Sequence, residues 1–226
     1  MDIAGLDDAS RALGGAVLGP AELATALGFD PLSVLTPVER DAVARVPFDA
    51  ATLAAARTNG ERLVLRIPRD PDGPLTMLRL AARLGGGFDP GAHKGVGYML
   101  RDEWTIDLQP FAARETCTAG WWLVGKAPLP RTLNRPYRAQ EGVLATLGPA
   151  SAARPRRRSA VEIAYDTLLW HRAHGERLLA ATWEWSRSPS TDGGLAALGE
   201  FGAHGLHVTA YSRAVLFDTL GVCPQR

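Results

Sequence analysis

The five histidines of the chain are the first candidates for catalysis or metal binding. His171 and His174 stand three apart in a helical pattern and therefore share a face, while His204 and His207 flank a predicted turn. Together with Cys223 they could supply the nitrogen and sulfur ligands that Zn²⁺ prefers. However, histidines are also favoured in the last turn of a helix, because imidazoles interact with its carbonyl end. We interpret these histidines as structural and expect neither a metal nor another cofactor.

Signatures of nucleophilic and acid–base catalysis are the second place to look for an enzyme. The chain has no Gly-x-Ser-x-Gly and no Ser-x-x-Lys motif, and no basic residue lies in the Glu-Thr-Cys-Thr-Ala segment around Cys117. Asp102, Glu103 and Asp107 cluster around Trp104, as paired carboxylates do in some sugar-cleaving sites. We interpret them as residues that flank an exposed turn. The sequence therefore assigns no catalytic residue.

Basic residues are concentrated in the middle of the chain, although the formal net charge is only +1. The densest group is Arg154, Arg156, Arg157 and Arg158, within a Pro-, Ser- and Ala-containing stretch that is typical of a linker over 149–158. The longer segment Arg131–Arg158 could alternatively bind nucleic acid through its phosphates. Aromatic residues for base stacking are scarce there apart from Tyr137. We favour the linker and keep a nucleic-acid-associated protein as an alternative.

The bulk composition is typical of a folded domain. Of the 226 residues, 46% are hydrophobic, and no run of 18 apolar residues could span a membrane. The acidic N-terminus lacks the basic and apolar regions of a signal peptide, so we expect a cytoplasmic protein with no membrane partner. Cys117 and Cys223 are far apart, and we expect two buried thiols.

The predicted elements upstream define three regions before the terminal one. Residues 1–60 read as short helices, one of them opened by a capping box at Thr36 and Glu39. The mixed region 61–148 contains a half-buried strand over 61–68, a helix over 75–84, strand segments over 104–111 and 120–125, and a helix over 136–147. After the linker, Ser159 and Glu162 form a second capping box, which opens a helix that ends at His174.

The terminal stretch Thr182–Arg226 has the pattern of a small antiparallel sheet. Short apolar runs alternate there with Gly, Asp, Pro and Ser, as in successive hairpins. We expect this sheet to pack on the 159–174 helix, so that 159–226 forms one unit and the chain belongs to the α+β class.

The same stretch contains the candidate ligand-binding residues. Strand alternation places the side chains of Trp183, Trp185 and Arg187 on one side of a strand, and Tyr211 begins an irregular segment over 211–219 that we expect to be exposed. The two tryptophans are either core residues or part of a binding surface. Large rigid rings beside adaptable polar groups are typical of binding surfaces. The candidates are Trp183, Trp185, Arg187, Tyr211, Arg213, Phe217 and Asp218.

The terminal residues also resemble known proteins. Trp185-Ser-Arg-Ser188, Asp192-Gly-Gly194, Leu198-Gly199-x-Phe201 and Leu220-Gly-Val-Cys223 look like a group of uncharacterised bacterial proteins, over roughly the last 125 residues. More distantly, the ending is similar to the final strands of C-type-lectin-like domains, such as the variable proteins diversified by retroelements. That resemblance implies ligand display by residues 183–219. The disulfides and calcium-binding motifs of such lectins are absent, which argues against calcium-mediated sugar binding.

The sequence therefore predicts a non-enzymatic binding protein. Its ligand, which we expect to be a protein, would contact the terminal sheet and its loops. Nucleic-acid association through the basic segment and an enzyme of unrecognised type remain the alternatives.

Overall fold

The computed structural model describes residues 3–84, 108–147, 155–203 and 205–226. Within these ranges the chain is an α+β fold, as predicted. The helices are α1 (Leu6–Ala12), α2 (Pro20–Leu27), α3 (Pro37–Val43), α4 (Ala50–Thr58), α5 (Met77–Leu84), α6 (Pro110–Arg114), α7 (Tyr137–Ala145) and α8 (Ala160–His174). The strands are β1 (Val17–Leu18), β2 (Glu61–Arg66), β3 (Arg69–Asp70), β4 (Gly73–Pro74), β5 (Gly120–Gly125), β6 (Trp183–Pro189), β7 (Leu195–Gly202), β8 (Gly205–Tyr211) and β9 (Leu220–Gly221).

Both predicted capping boxes are confirmed. The Glu39 carboxylate accepts a hydrogen bond of 2.8 Å from the Thr36 backbone N–H, and the Thr36 hydroxyl oxygen accepts one of 3.3 Å from the Glu39 N–H. Ser159 and Glu162 exchange the same two bonds, at 2.7 and 3.3 Å. Because these bonds satisfy N–H groups that lack an intrahelical partner, they fix where α3 and α8 begin.

The first sheet has the strand order β1-β2-β5, with β2 parallel to β1 and antiparallel to β5. The prediction that β2 is half-buried is wrong, because residues 62–67 are all buried. The alternation of a half-buried strand would expose Arg62 and Arg66, whereas both guanidinium groups are buried. Arg66 pairs with the buried Asp166 carboxylate, and Arg62 pairs with the partly exposed Glu176 carboxylate. A buried charge that is paired in this way is tolerated where an unpaired one would not be.

The terminal sheet has the order β8-β7-β6-β9. Both hairpin pairs, β6–β7 and β7–β8, are antiparallel, and β9 adds a short parallel edge to β6. Helix α8 packs against β6 and β7, so the predicted sheet on a helix is confirmed. The larger of two hydrophobic clusters among the described residues runs from Ile3 to Cys223 and includes side chains from 1–60, 61–148 and 159–226.

Two predicted assignments are corrected by the structure. Phe111, predicted at the end of a strand over 104–111, lies in helix α6, and 104–107 fall outside the described residues. The predicted linker 149–158 is wrong for its described part, since the Arg156 N–H donates to the Gln225 carbonyl at 2.8 Å and Arg157 and Arg158 are buried. In the part of the chain that the structure describes, no helix is long and apolar enough to cross a membrane.

Candidate functional site

The outer face of the terminal sheet is built from one row of residues across three strands. Trp183 on β6 pairs with Gly199 on β7, which pairs with His207 on β8. Because Gly199 has no side chain and its neighbour on this face, Ala197, has a small one, the tall side chains of the outer strands approach each other over β7. The ring centroids of Trp183 and His207 lie 6.0 Å apart. Gly199 therefore lies at the bottom of a depression, with the Trp183 ring on one side and the His207 ring on the other.

Position 199 requires glycine because the backbone of Thr182 and Trp183 approaches it closely. A Cβ atom at this position would lie 2.2 Å from the Thr182 carbonyl oxygen and 2.7 Å from the Cα atom of Trp183. Both contacts are with backbone, which cannot rotate away, so β6 and β7 can pair this closely only with glycine at 199.

A β-bulge follows directly and sets the direction of Glu200. The β7–β8 register shifts between Gly199 and Gly202, and Glu200 has a φ of 45° in the left-handed region. This backbone conformation is unfavourable for a residue with a side chain, and bulges of this kind commonly re-aim a side chain beside a functional site. The Glu200 carboxylate is 52% exposed, and its Oε2 lies 3.5 Å from His207 Nδ1.

Two further rings complete a concave surface. Tyr211 meets Trp183 edge-to-face with centroids 6.2 Å apart, and Phe217 meets Tyr211 edge-to-face at 5.1 Å. The space they surround has a volume of about 280 Å³. We call it the aromatic depression; it is lined by Trp183, Glu200, His207, Val208, Thr209, Tyr211, Phe217 and Thr219.

The loop beside the aromatic depression, residues 212–219, is held by its backbone. The Phe217 carbonyl accepts a hydrogen bond of 2.8 Å from the Asn134 N–H, and the Arg213 carbonyl accepts one of 3.1 Å from the Tyr137 N–H. Leu216 is nevertheless 50% exposed and Phe217 41% exposed. The loop thus presents apolar side chains to solvent from a fixed position, as predicted for 211–219.

The inner face of the same sheet contains buried charges beside the apolar side chains of the main core. Arg158 donates from Nη1 to Asp166 at 2.7 Å and from Nε to Glu184 at 3.1 Å. Arg66 binds the Asp166 carboxylate through two hydrogen bonds of 2.8 and 2.5 Å, and its Nη1 lies 3.2 Å from the Glu162 carboxylate. We call these five residues the buried ion-pair network, and none of them is more than 2% exposed.

The C-terminal tail is hydrogen-bonded to this network through the side chain of Gln225. Its amide oxygen accepts from Arg66 at 2.5 Å, and its amide nitrogen donates to Glu162 at 3.0 Å. Burial by itself would raise the pKa of the Glu162 carboxyl, but Arg66 and the Ser159 N–H stabilise the carboxylate and lower its pKa to about 2. Glu162 is therefore ionised at neutral pH, and the network joins β2, α8, β6 and the tail.

The structure decides between the two interpretations of the tryptophans. Trp185 is fully buried in a small core with Leu195 and Leu220, so its assignment to a ligand-binding surface is wrong. Trp183 is 8% exposed and lines the aromatic depression with that remaining edge. Arg187 was predicted on their side of the strand, but its guanidinium points to the Glu162 carboxylate, 3.4 Å away, since β6 is irregular after Trp185.

The other predicted ligand residues belong to the loop or to the aromatic depression itself. Tyr211 and Phe217 line it. Arg213 and Asp218 are exposed on the loop but do not line it, and the Arg213 guanidinium lies 5.8 Å from the ring centroid of Tyr137. The predicted stretch therefore contains residues that line the aromatic depression together with neighbours that do not.

The basic segment does not form one surface. Arg157 is buried and donates to the Gln140 side chain at 3.1 Å and to the Trp185 carbonyl at 2.9 Å, while Arg158 belongs to the buried ion-pair network. Arg156 is partly exposed, 3.4 Å from Glu162, and Arg154 lies outside the described residues. The predicted nucleic-acid site is therefore wrong for Arg157 and Arg158, because their guanidinium groups cannot reach a phosphate.

The residues considered for catalysis are dispersed. His174 Nε2 lies 3.0 Å from the Val17 carbonyl oxygen, and the His171 ring packs on Phe201. His204 and the acidic cluster Asp102, Glu103 and Asp107 lie outside the described residues. Within the described ranges, no three His, Cys, Asp or Glu side chains are grouped to hold a metal ion. Both cysteines are buried free thiols, and burial raises the pKa of Cys117 and of Cys223 well above its usual value.

Sequence reasoning missed Gly199 and Glu200. A signal was present: Ala197 and Gly199 place two small residues on one face of the middle strand, and the strand continues through a charged residue to Phe201. Small residues flanked by strands with Trp and His on the same face indicate a depression, but only once the strand register is known.

The chain matches no protein-family model, no curated protein and no solved structure. Its resemblance to C-type-lectin-like domains stays a prediction. The chemistry of the aromatic depression is therefore inferred from its own geometry.

Proposed function

We propose that this is a non-enzymatic binding protein that recognises a protein ligand through the aromatic depression and the 212–219 loop. The observation that carries the proposal is the position of exposed Leu216 and Phe217 beside a ring-walled hollow. Interfaces use such anchors: aromatic side chains at the centre, with polar groups at the rim. The proposal keeps the cytoplasmic location expected from the sequence.

The size of the aromatic depression favours a side-chain anchor over a free small molecule. Pockets for drug-sized ligands measure about 300–1,000 Å³. At about 280 Å³, this space accommodates one long side chain. The rest of the contact would come from the loop and the strand edge around it.

The backbone anchoring of the loop supports the same conclusion. The hydrogen bonds from Asn134 and Tyr137 hold the loop in place before any ligand arrives. Ordering a mobile loop would reduce the affinity, so a loop that is already fixed is suited to binding.

The test is a selection of random peptides displayed on phage against the full chain, followed by affinity measurements with Phe217→Ser. We expect the selected peptides to bind the wild type and to lose about tenfold or more in affinity when the Phe217 ring is removed. Val38→Ser is the matched control, because Val38 is an exposed apolar residue on α3, 78% exposed, outside the lining of the depression.

A set of peptides that bind the wild type and Phe217→Ser equally well would refute the proposal, since their site would lie elsewhere on the protein. Equal losses in Phe217→Ser and Val38→Ser would also refute it, because they would indicate general adhesion to exposed apolar side chains.

A further inference from the structure

We infer that the anchor accepted by the aromatic depression is a cationic side chain, a lysine-type ammonium. This inference rests on the proposed function and names the chemistry of its ligand. Three observations carry it: the charge of the rim, the arrangement of the rings, and the acceptors in the lining.

The one carboxylate in the described lining gives the rim its negative charge. It belongs to Glu200, whose side chain is half-exposed, whereas the exposed Asp218 and Arg213 on the adjoining loop carry opposite charges and lie outside the lining. Among the described residues that line the aromatic depression, none is Lys or Arg. A positive group that enters it therefore meets an opposite charge, and an anion meets repulsion.

The rings are arranged as walls. Trp183 and Tyr211 stand at 74° to each other, and Tyr211 and Phe217 at 66°. Rings at steep angles enclose a corner, and their negative faces attract a cation placed within about 6 Å of a ring centroid. A planar guanidinium prefers to stack on one flat face, whereas a compact ammonium fits such a corner.

The lining also offers hydrogen-bond acceptors for an ammonium group. Besides the Glu200 carboxylate, Thr209 and Thr219 carry hydroxyl oxygens in the lining. The left-handed backbone at Glu200 is consistent with the same inference, because the carboxylate lies beside His207, another residue of the lining.

The experiment is a titration of the full ¹⁵N-labelled chain with two small probes, followed through the indole N–H signal of Trp183. The first probe is Nα-acetyl-lysine methylamide. The second is its norleucine counterpart, which keeps the carbon stem of the side chain and lacks the ammonium. We expect saturable shifts with the lysine probe, with a dissociation constant on the order of millimolar, and at least about tenfold weaker binding of the norleucine probe.

Two variants sharpen the result. Glu200→Gln keeps the shape and removes the charge, so we expect about tenfold weaker lysine binding and unchanged norleucine binding. Val38→Ser is expected to leave both titrations unchanged. Equal affinity for the two probes, or no saturable shift with the lysine probe, would overturn the inference.

The outcome separates this inference from the proposed function. If the selected peptides depend on Phe217 but show no basic residue and no charge selectivity, the cation inference fails and the binding surface stands. If the peptides are indifferent to Phe217→Ser, the proposed function itself fails.

Discussion

The two faces of the terminal sheet are made from alternate residues of the same strands, yet they differ in chemistry. On β6, Glu184 faces inward to the buried ion-pair network, and its neighbour Trp183 faces outward to the aromatic depression. The inner face is closed, and its charges are matched by opposite charges. The outer face leaves rings and a carboxylate partly open. If the proposed function is right, rigidity and recognition are properties of opposite sides of one sheet.

This division explains how an open surface can be well defined. An ion pair that is fully desolvated holds its partners in one geometry, because any displacement leaves a buried charge unpaired. Arg158 links α8 to β6 in this way and therefore fixes the strand that carries Trp183.

The largest effect is expected where the inner face is broken. Arg158→Met removes the partner of Glu184, which is fully buried, and should lower the free energy of unfolding by about 3–5 kcal/mol. Urea denaturation measures it. Arg187→Met is the control: this arginine is exposed and contacts one carboxylate at 3.4 Å, so its loss should cost less than about 1 kcal/mol. Similar losses in both variants would contradict a special role for the buried charges.

The second-largest effect is expected from acid, which should lower the free energy of unfolding by protonating Glu162 on the inner face. The folded-state pKa of Glu162 is lowered from its ordinary value of 4.5 to about 2. Its contribution is therefore complete above pH 4.5 and is lost as the pH falls toward 2, a change of about 3 kcal/mol. Urea titrations at several pH values measure this, and in Glu162→Gln the fall in stability below pH 4.5 should be shallower. An unchanged slope in that variant would show that other groups cause the acid sensitivity.

The floor of the outer face can be tested with a pair of glycines. Gly199→Ala places a Cβ atom against the backbone of Thr182 and Trp183 and should cost about 2–3 kcal/mol. In Gly202→Ala the nearest atom, the Glu200 carbonyl oxygen, is 3.8 Å away, so thermal unfolding should change little. Comparable melting temperatures for the two variants would mean that β6 and β7 are not held as closely as described.

The smallest effect concerns the backbone at Glu200. Because its φ is 45°, Glu200→Gly should be more stable than Glu200→Ala by about 1 kcal/mol. At Asp41, an exposed residue within α3, the order should reverse, since glycine destabilises a helix by about 1 kcal/mol relative to alanine. Urea midpoints of the four variants measure the order of stability at each site. The same order at both sites would show that the backbone at Glu200 is not strained.

Much of the fold could be predicted from local signals. The capping boxes at Thr36 and Ser159 and the hairpin punctuation after Thr182 depend on neighbouring residues, and all three are confirmed. β2 shows the limit of such signals. Its alternation was read correctly, but an arginine is exposed or buried according to whether a carboxylate from a distant element pairs with it, and Asp166 lies 100 positions from Arg66.

The candidate site was predictable as a stretch and not as a surface. The odd-numbered residues of β8, His207, Thr209 and Tyr211, all line the aromatic depression, as alternation along a strand predicts. The role of Gly199 depends on the strand register, and the direction of the Glu200 side chain depends on a bulge. Neither the register nor the bulge can be predicted from composition or periodicity. The arginines at 157 and 158 looked like a solvated linker because their partners, Gln140, Glu141, Asp166 and Glu184, lie in other elements.

The most direct measurement is a map of backbone amide shifts in the ¹⁵N-labelled chain when a selected peptide is added. Binding at the outer face predicts that the largest changes fall on Gly199–Phe201, on His207–Tyr211 and on the 212–219 loop, with α8 little affected. Largest changes at Arg156 and Arg187, with no change at the residues that line the aromatic depression, would contradict it.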